Sequence, residues 1–430
     1  MKARVHLFIG VFLYISAFLF SYEEWVVPRY EDWGMGSRDV PIEYIISSWV
    51  FCLIPSLWMP INLSRPSQLL FCIQYFIIFI PASFVIYNSV RPELDPEQVF
   101  YLVLSLFSGL SIIQASYSFK LFKIKQKLIT GKLFWSFFGV VAFSILINLF
   151  MVFGDYFQLA DFQDIYDVRK LADEISEASE SSFSGYSKMW LSGFILPFMF
   201  SVGVFRRNWI LVAIVAAGYV YLLGISGSKS TMMAIIYLPA IYFLVHSGGK
   251  DFSLKILLGL SLLLIFPFII LLADGFGGLI DKWYVAIIHA RIFTIPQLSI
   301  GQYYDFFQNQ PLTYGSHING INLIVPYPYE GDIPRTIGRY FYEAELTANA
   351  NMWAQDGIAS FGLIGIPIVS AIAALIFWFF DSIARLHDPR FVTVALGNIA
   401  LSFANISLFT TIASAGLLLL IIALYFFTKE

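Results

Sequence analysis

Uninterrupted apolar runs set the strongest constraint on this chain. A helix that crosses a bilayer needs about 20 mostly apolar residues, because the hydrocarbon layer offers no water to a stray backbone N–H or C=O. Runs near that length occur twelve times, at 5–20, 42–61, 68–87, 98–118, 133–153, 189–205, 209–225, 231–246, 255–273, 363–380, 391–408 and 411–427. A soluble 430-residue chain would have to cover so much apolar surface with charge. Only 13% of its residues are charged, against roughly a quarter in an average protein. The predicted fold is therefore all-α, a polytopic helical membrane protein with about twelve transmembrane helices, and residues 1–430 form one transmembrane domain.

The first run follows Lys2 and Arg4, but no small-residue cleavage site succeeds it. Ser21-Tyr22-Glu23-Glu24-Trp25 comes next, so an uncleaved anchor is expected. A net charge of −3 leaves no basic footprint, and nucleic acid is excluded as a partner. The two cysteines, Cys52 and Cys72, lie in apolar runs and are expected as buried small side chains, not as a bridge. The five histidines form no His-x-x-His or His-Glu-x-x-His pattern, so neither a metal nor another cofactor is expected.

Orientation follows from the distribution of Lys and Arg. With the N-terminus inside, fifteen of the 26 basic residues but only four of the 29 acidic ones fall on the cytoplasmic side. The stretch Phe119–Lys127 alone carries four lysines and no acid. Both termini are thus expected to be cytoplasmic. Connections on that side are short, and no phosphate-binding Gly-x-x-x-x-Gly-Lys loop is present. The opposite side holds two enlarged loops, 154–188 and 274–362. Structureless loops of that length are uncommon and usually functional, which puts the working face outside the cytoplasm.

In the first loop Ile165, Val168, Leu171 and Ile175 recur at helical spacing, predicting an amphipathic helix on the membrane surface. Arg169 on this helix either pairs with Asp173 or binds substrate. In the second loop Arg291 follows the apolar stretch Trp283–Ala290, so it is either salt-bridged or faces a cavity that receives an anion. Arg335 and Arg339 are four apart, on one face of a helix. Their mutual repulsion becomes a clamp if a phosphate binds, unless Arg339 simply pairs with Glu343. Asn349, Asn351 and Asp356 hold polar groups at the membrane edge. The small residues Gly357, Gly362 and Gly365, which permit close helix packing, run from there into a span. Lys229, in the turn Ser226-Gly227-Ser228-Lys229-Ser230 between two spans, either snorkels to the headgroups or lies in a backbone nest for an anion.

The layout of many spans, few cytoplasmic residues and two enlarged outer loops resembles the Wzy-type O-antigen or oligosaccharide repeat-unit polymerases. Tyr166-Asp167-Val168-Arg169, Ser226-Gly227-Ser228-Lys229-Ser230, Asn349-x-Asn351 and Phe361-Gly362-x-x-Gly365 carry the likeness. Some members have an arginine followed eleven positions later by glycine. Here Arg169 is followed at that distance by Glu180, and Arg291 by Gly301 one position early.

The resemblance implies a membrane-embedded, metal-independent glycosyltransferase of the bacterial inner membrane. It would polymerise undecaprenyl-diphosphate-linked repeat units into O-antigen or capsule at the periplasmic face. Its partners would be the lipid-linked oligosaccharide, membrane lipid and a chain-length regulator protein. Arg169, Lys229, Arg291, Arg335 and Arg339 are then the cations available to the lipid diphosphate. The base for the acceptor hydroxyl is sought among Glu343, Glu345, Asp356 and His289. His317 would serve there too or, with Asn349 and Asn351, hold the sugar. Two alternatives share the substrate: an O-antigen ligase, and a lipid-linked oligosaccharide transporter or flippase. A flippase should carry charges along its spans, and the runs above are almost free of them.

Overall fold

Apolar runs that cannot bond to water close their own backbone ladders, and in the computed structural model they do so as helices. The structure describes residues 2–125, 130–159, 165–178, 182–274, 283–342 and 346–427, and among these every regular element is helical. In chain order they are α1 (Lys2–Trp33), α2 (Ile42–Leu57), α3 (Gln68–Asn88), α4 (Pro96–Ser118), α5 (Gly131–Tyr156), α6 (Ile165–Ala178), α7 (Phe183–Phe205), α8 (Trp209–Ser226), α9 (Lys229–His246) and α10 (Phe252–Asp274). There follow α11 (Val285–Ala290), α12 (Ile295–Asn309), α13 (Ile333–Tyr342), α14 (353–361), α15 (Gly365–Ala384), α16 (Pro389–Ala395), α17 (Gly397–Phe403), α18 (Leu408–Ala413) and α19 (Leu417–Phe426).

Local sequence sets several starts. Thr130 Oγ1 accepts from Leu133 N at 3.4 Å, Asn208 Oδ1 from Leu211 N at 3.1 Å and Ser407 Oγ from Thr410 N at 3.0 Å. Each side chain satisfies an N–H that the helix leaves unpaired.

Nine helical stretches among the described residues are long and apolar enough to cross a membrane. The expected spans 42–61 and 231–246 form shorter apolar helices, Ile42–Leu57 and Thr231–His246. The expected span 391–408 is α16 and α17, interrupted at Leu396. The last expected span begins at Leu408 and is divided into α18 and α19 at Ser414–Gly416.

Burial separates the inner helices from the outer ones. The apolar window of α3 is buried along its whole length, while that of α5 is only 22% buried. On α15, Ile368, Ile372, Leu375 and Phe379 form an exposed stripe at helical spacing. Such a stripe faces acyl chains. Cys52 and Cys72 are both free and buried.

The connections gather at two ends. At one, Arg4 Nη1 donates to Met59 O at 2.7 Å, Arg65 Nη2 to Phe119 O at 2.6 Å and Arg385 Nη1 to Phe122 O at 3.1 Å. The Arg206 guanidinium lies over the Phe427 ring at this end. At the other, Tyr342 Oη donates to Trp33 O at 3.0 Å, Arg91 Nη1 to Phe341 O at 3.3 Å and Gln98 Nε2 to Gln308 Oε1 at 3.0 Å. This second end, the loop end, carries α11 to α13.

One local departure from the expected layout shapes the loop end. The segment after Asn349 was expected to run straight into a span, and it folds back first. Trp353 Nε1 donates to Ser370 Oγ at 2.8 Å, whereas residues 17 apart in a continuous helix would be separated by about 25 Å. The reversal is at Gly362, whose φ of +62° is the left-handed region that favours glycine. The two arms then touch backbone to backbone. A Cβ at Gly365 would come within 1.9 Å of Gly357 O, so the small residues there do allow close packing.

Candidate functional site

The fold-back sets Asp356 into the loop end. It sits on the π-helical turn Trp353–Ile358, which starts from a side-chain cap: Asn351 Oδ1 accepts from Trp353 N at 3.0 Å and from Ala354 N at 3.4 Å. Single π turns inside helices frequently occur at functional sites. Asp356 Oδ2 accepts from Leu408 N at 2.6 Å, at the first residue of α18. A helix N-terminus has such N–H groups to spare.

The other oxygen, Oδ1, faces His317 Nε2 at 3.5 Å, and the side chains are 2% and 12% exposed. That separation suits an ion pair, yet neither atom has a hydrogen-bond partner.

Counting protons assigns the histidine. Thr313 Oγ1 donates its single proton to Ala359 O at 2.9 Å, an oxygen that also receives Thr313 N at 2.8 Å. It therefore accepts from His317 Nδ1, at 3.0 Å, and Nδ1 carries the hydrogen. In neutral imidazole that leaves a lone pair on Nε2, pointed at a carboxylate that also only accepts. Two buried acceptors facing each other are costly unless a proton lies between them. The carboxylate oxygen and the imidazole nitrogen are close enough to share a proton, and His317 is the more exposed of the two.

Other polar groups surround the pair. Asn351 is fully buried and its Nδ2 has no partner, an unused donor five residues from Asp356. Tyr303 donates to Ala348 O at 3.2 Å, and burial pushes its phenol well above the ordinary range. It lies near enough to Asp332, Tyr327 and Asp356 for their charges to act on it. Ala348 N donates to Pro334 O at 2.9 Å, tying the half-buried Asn349 and its neighbours to α13.

On α13, Arg335 and Arg339 are both exposed and share a helix face. Arg335 Nε lies 3.9 Å from Asp332 Oδ1, a carboxylate that also accepts from Arg335 N at 3.1 Å. Both side chains of that ion pair are more than half exposed, and such pairs hold weakly.

The remaining sequence candidates lie elsewhere. Arg169 is exposed on α6, which buries Val168 and Ala172 and packs against α5, α7 and α8. Lys229 is the first residue of α9, after Gly227-Ser228, and its side chain lies outside the described residues, as do Glu343 and Glu345. Arg291 is exposed and follows α11 directly. His289 is buried, with Nδ1 bonded to Ser21 Oγ on α1 and Nε2 unpartnered, and burial lowers its pKa to about 4. It belongs to the packing of α11 on α1 and α10, apart from the His317–Asp356 pair. Among the described residues no three His, Cys, Asp or Glu side chains form a group that could hold a metal.

The structure thus joins His317 and Asp356, with Asn351 capping the turn that carries the carboxylate and Ala348 linking that segment to α13. Thr313 and the Leu408 amide were not singled out in the sequence. Thr313 precedes His317 by four positions, a spacing too common to notice, and the amide has no sequence signal at all. Compared with family models, curated proteins and solved structures, the chain matches none.

Proposed function

We propose that this chain is a membrane-embedded, metal-independent glycosyltransferase that polymerises undecaprenyl-diphosphate-linked oligosaccharide repeat units at the periplasmic face of the bacterial inner membrane. The observation that carries the reading is the His317–Asp356 pair, a buried carboxylate oxygen 3.5 Å from an imidazole nitrogen. An acceptor hydroxyl must lose a proton as it attacks, and a pair of this kind receives it. The new bond joins that oxygen to the anomeric carbon of the donor. The bond from that carbon to the diphosphate breaks, and the diphosphate leaves with the electron pair. Arg335 and Arg339 are the nearest cations to the pair along the chain and would stabilise that charge. The driving force resides in the diphosphate linkage, so no nucleotide is consumed.

Deletion of the gene tests this. Cells without it should carry surface glycan of a single repeat unit and no ladder on a gel. The chain should restore the ladder, while Asp356→Asn and His317→Ala should not, at equal protein levels. A ladder that persists in the deletion sinks the reading. Loss of the fully assembled glycan from its lipid core, with polymer retained on its carrier, would point to the ligase.

A second reading, a lipid-linked oligosaccharide transporter, draws on the interrupted helices α16 to α19. Asn398 and Asn405 there have buried side-chain oxygens without partners, and broken helices line the binding sites of many transporters. If deletion leaves no repeat unit at the outer face, this reading replaces the first.

A further inference from the structure

The connection between α12 and α13 has a composition at odds with its place at the polar loop end. From Phe306 through Tyr329 it contains no Asp, Glu, Lys or Arg. It also turns several large apolar side chains outward. Leu323 is 88% exposed, Ile324 85% and Tyr314 58%. Isolated exposed apolar residues are ordinary, but adjacent ones on a charge-free stretch call for an apolar contact.

The geometry carries that stretch into the lipid-facing surface. The Tyr314 ring packs edge-on against Phe361, with centroids 6.1 Å apart. Phe361 and Ile364 are themselves exposed, at 43% and 71%, and Ile364 heads the stripe that continues down α15 through Ile368 and Ile372. Ile321 lies against Gly315, and Ile324 N donates to Ile321 O at 2.9 Å. Leu323 and Ile324 therefore lie within one turn of the residues that join the stripe. Residues 314–325 form a lip that extends the lipid-facing side of α15 outward at the loop end.

We infer that this lip is seated in the bilayer, with Leu323 and Ile324 in the boundary between headgroups and acyl chains, so that the His317–Asp356 pair opens toward lipid and not toward bulk water. Interfacial segments bury an apolar face by about 5–10 Å at that boundary, and Tyr314 has the amphipathic ring suited to headgroup level. His317 is in the lip itself, and a substrate anchored in the leaflet would meet it by lateral diffusion. The seating of the lip stands on its own geometry and does not depend on which reaction the pair performs.

Depth measurement in lipid nanodiscs tests the inference on the full chain. Leu323→Cys and Ile324→Cys are each labelled with bimane, the buried native Cys52 and Cys72 being shielded from the reagent. Ile372→Cys serves as the lipid reference and Glu93→Cys as the aqueous one. Seated in lipid, the labels at 323 and 324 should be quenched by brominated phospholipid about as strongly as the one at 372, and by iodide about threefold less than the one at 93. Iodide quenching equal to that at 93, without lipid quenching, overturns the inference in favour of an aqueous loop. Protection from both quenchers that disappears when the discs hold a single copy overturns it in favour of a second copy of the chain.

Discussion

Two aspartates on one stretch of chain, Asp356 and Asp381, are buried at opposite ends of the molecule and held in opposite ways. Asp381, 1% exposed, has both oxygens satisfied by one residue: Ser67 N donates to Oδ1 at 3.1 Å and Ser67 Oγ to Oδ2 at 2.6 Å. It flanks a cavity of about 160 Å³ shared with Arg65 and Arg385. Those guanidinium groups are already committed to the carbonyls of Phe119 and Phe122. Asp356, 4% exposed, has one oxygen bonded to Leu408 N and the other 3.5 Å from His317 Nε2. A saturated buried carboxylate is a fastener. An unsaturated one is retained at a cost, and chemistry is the usual reason.

The largest effect expected from this contrast is on activity. Asp356→Asn keeps the acceptor for Leu408 N but cannot take a proton, so chain polymerisation should fall by about 10²- to 10⁴-fold with little change in thermal stability. Glycan ladders and melting of the purified protein measure the two. A full ladder in this variant would put the two aspartates in one class. Asp381→Ala should do the reverse. It removes two buried hydrogen bonds and leaves Ser67 N without its acceptor, costing about 2 kcal/mol, read as a lower melting temperature, and Asp381→Asn should recover part of that loss.

His289 at the loop end sharpens the comparison by pH. His289 is kept neutral by burial, with its pKa lowered from 6.5 to about 4. Between those values the unfolded chain binds more protons than the folded one, so stability falls as pH drops through that window. At pH 5 the loss is about 2 kcal/mol. His289→Gln should flatten this acid limb of the melting curve, and an unchanged limb would show that His289 is not the group responsible. The smallest effect belongs to Arg335→Ala. Its ion pair with Asp332 is exposed and should account for no more than about 0.5 kcal/mol of stability. On the proposed reading, a fall in the ladder beyond any loss of stability reports contact with the lipid diphosphate.

Much of the architecture was legible in the sequence because the bilayer imposes one-dimensional rules. Run length alone marked the long helices, and the spacing of Ile165, Val168, Leu171 and Ile175 marked α6. The helical register of Arg335 and Arg339 was legible for the same reason. The breaks were not. Ser414–Gly416 and the interruption at Leu396 lie inside runs whose hydropathy is continuous, and hydropathy does not distinguish a helix from two half-helices; Gly362 ends the expected loop, where nothing in the pattern marks a reversal. Asp356 and His317 were both visible as candidates, yet their pairing depends on Thr313 reaching Ala359 and on α18 beginning at Leu408. These contacts span 46 and 52 residues, and no local pattern encodes them. His289 was grouped with them by chemistry, and only its bond to Ser21 separates it.

The reversal at Gly362 also settles a matter of length. Residues 353–384 form an apolar stretch of 32 residues, and as one straight helix it would measure about 48 Å, well beyond a hydrocarbon layer of about 30 Å. Such a mismatch is relieved by tilting or by deforming the bilayer. Folding 353–361 back leaves α15, with its 20 residues, to cross alone at about 30 Å. One left-handed glycine thus fits the segment to the thickness of the membrane and holds a carboxylate at its surface in the same stroke.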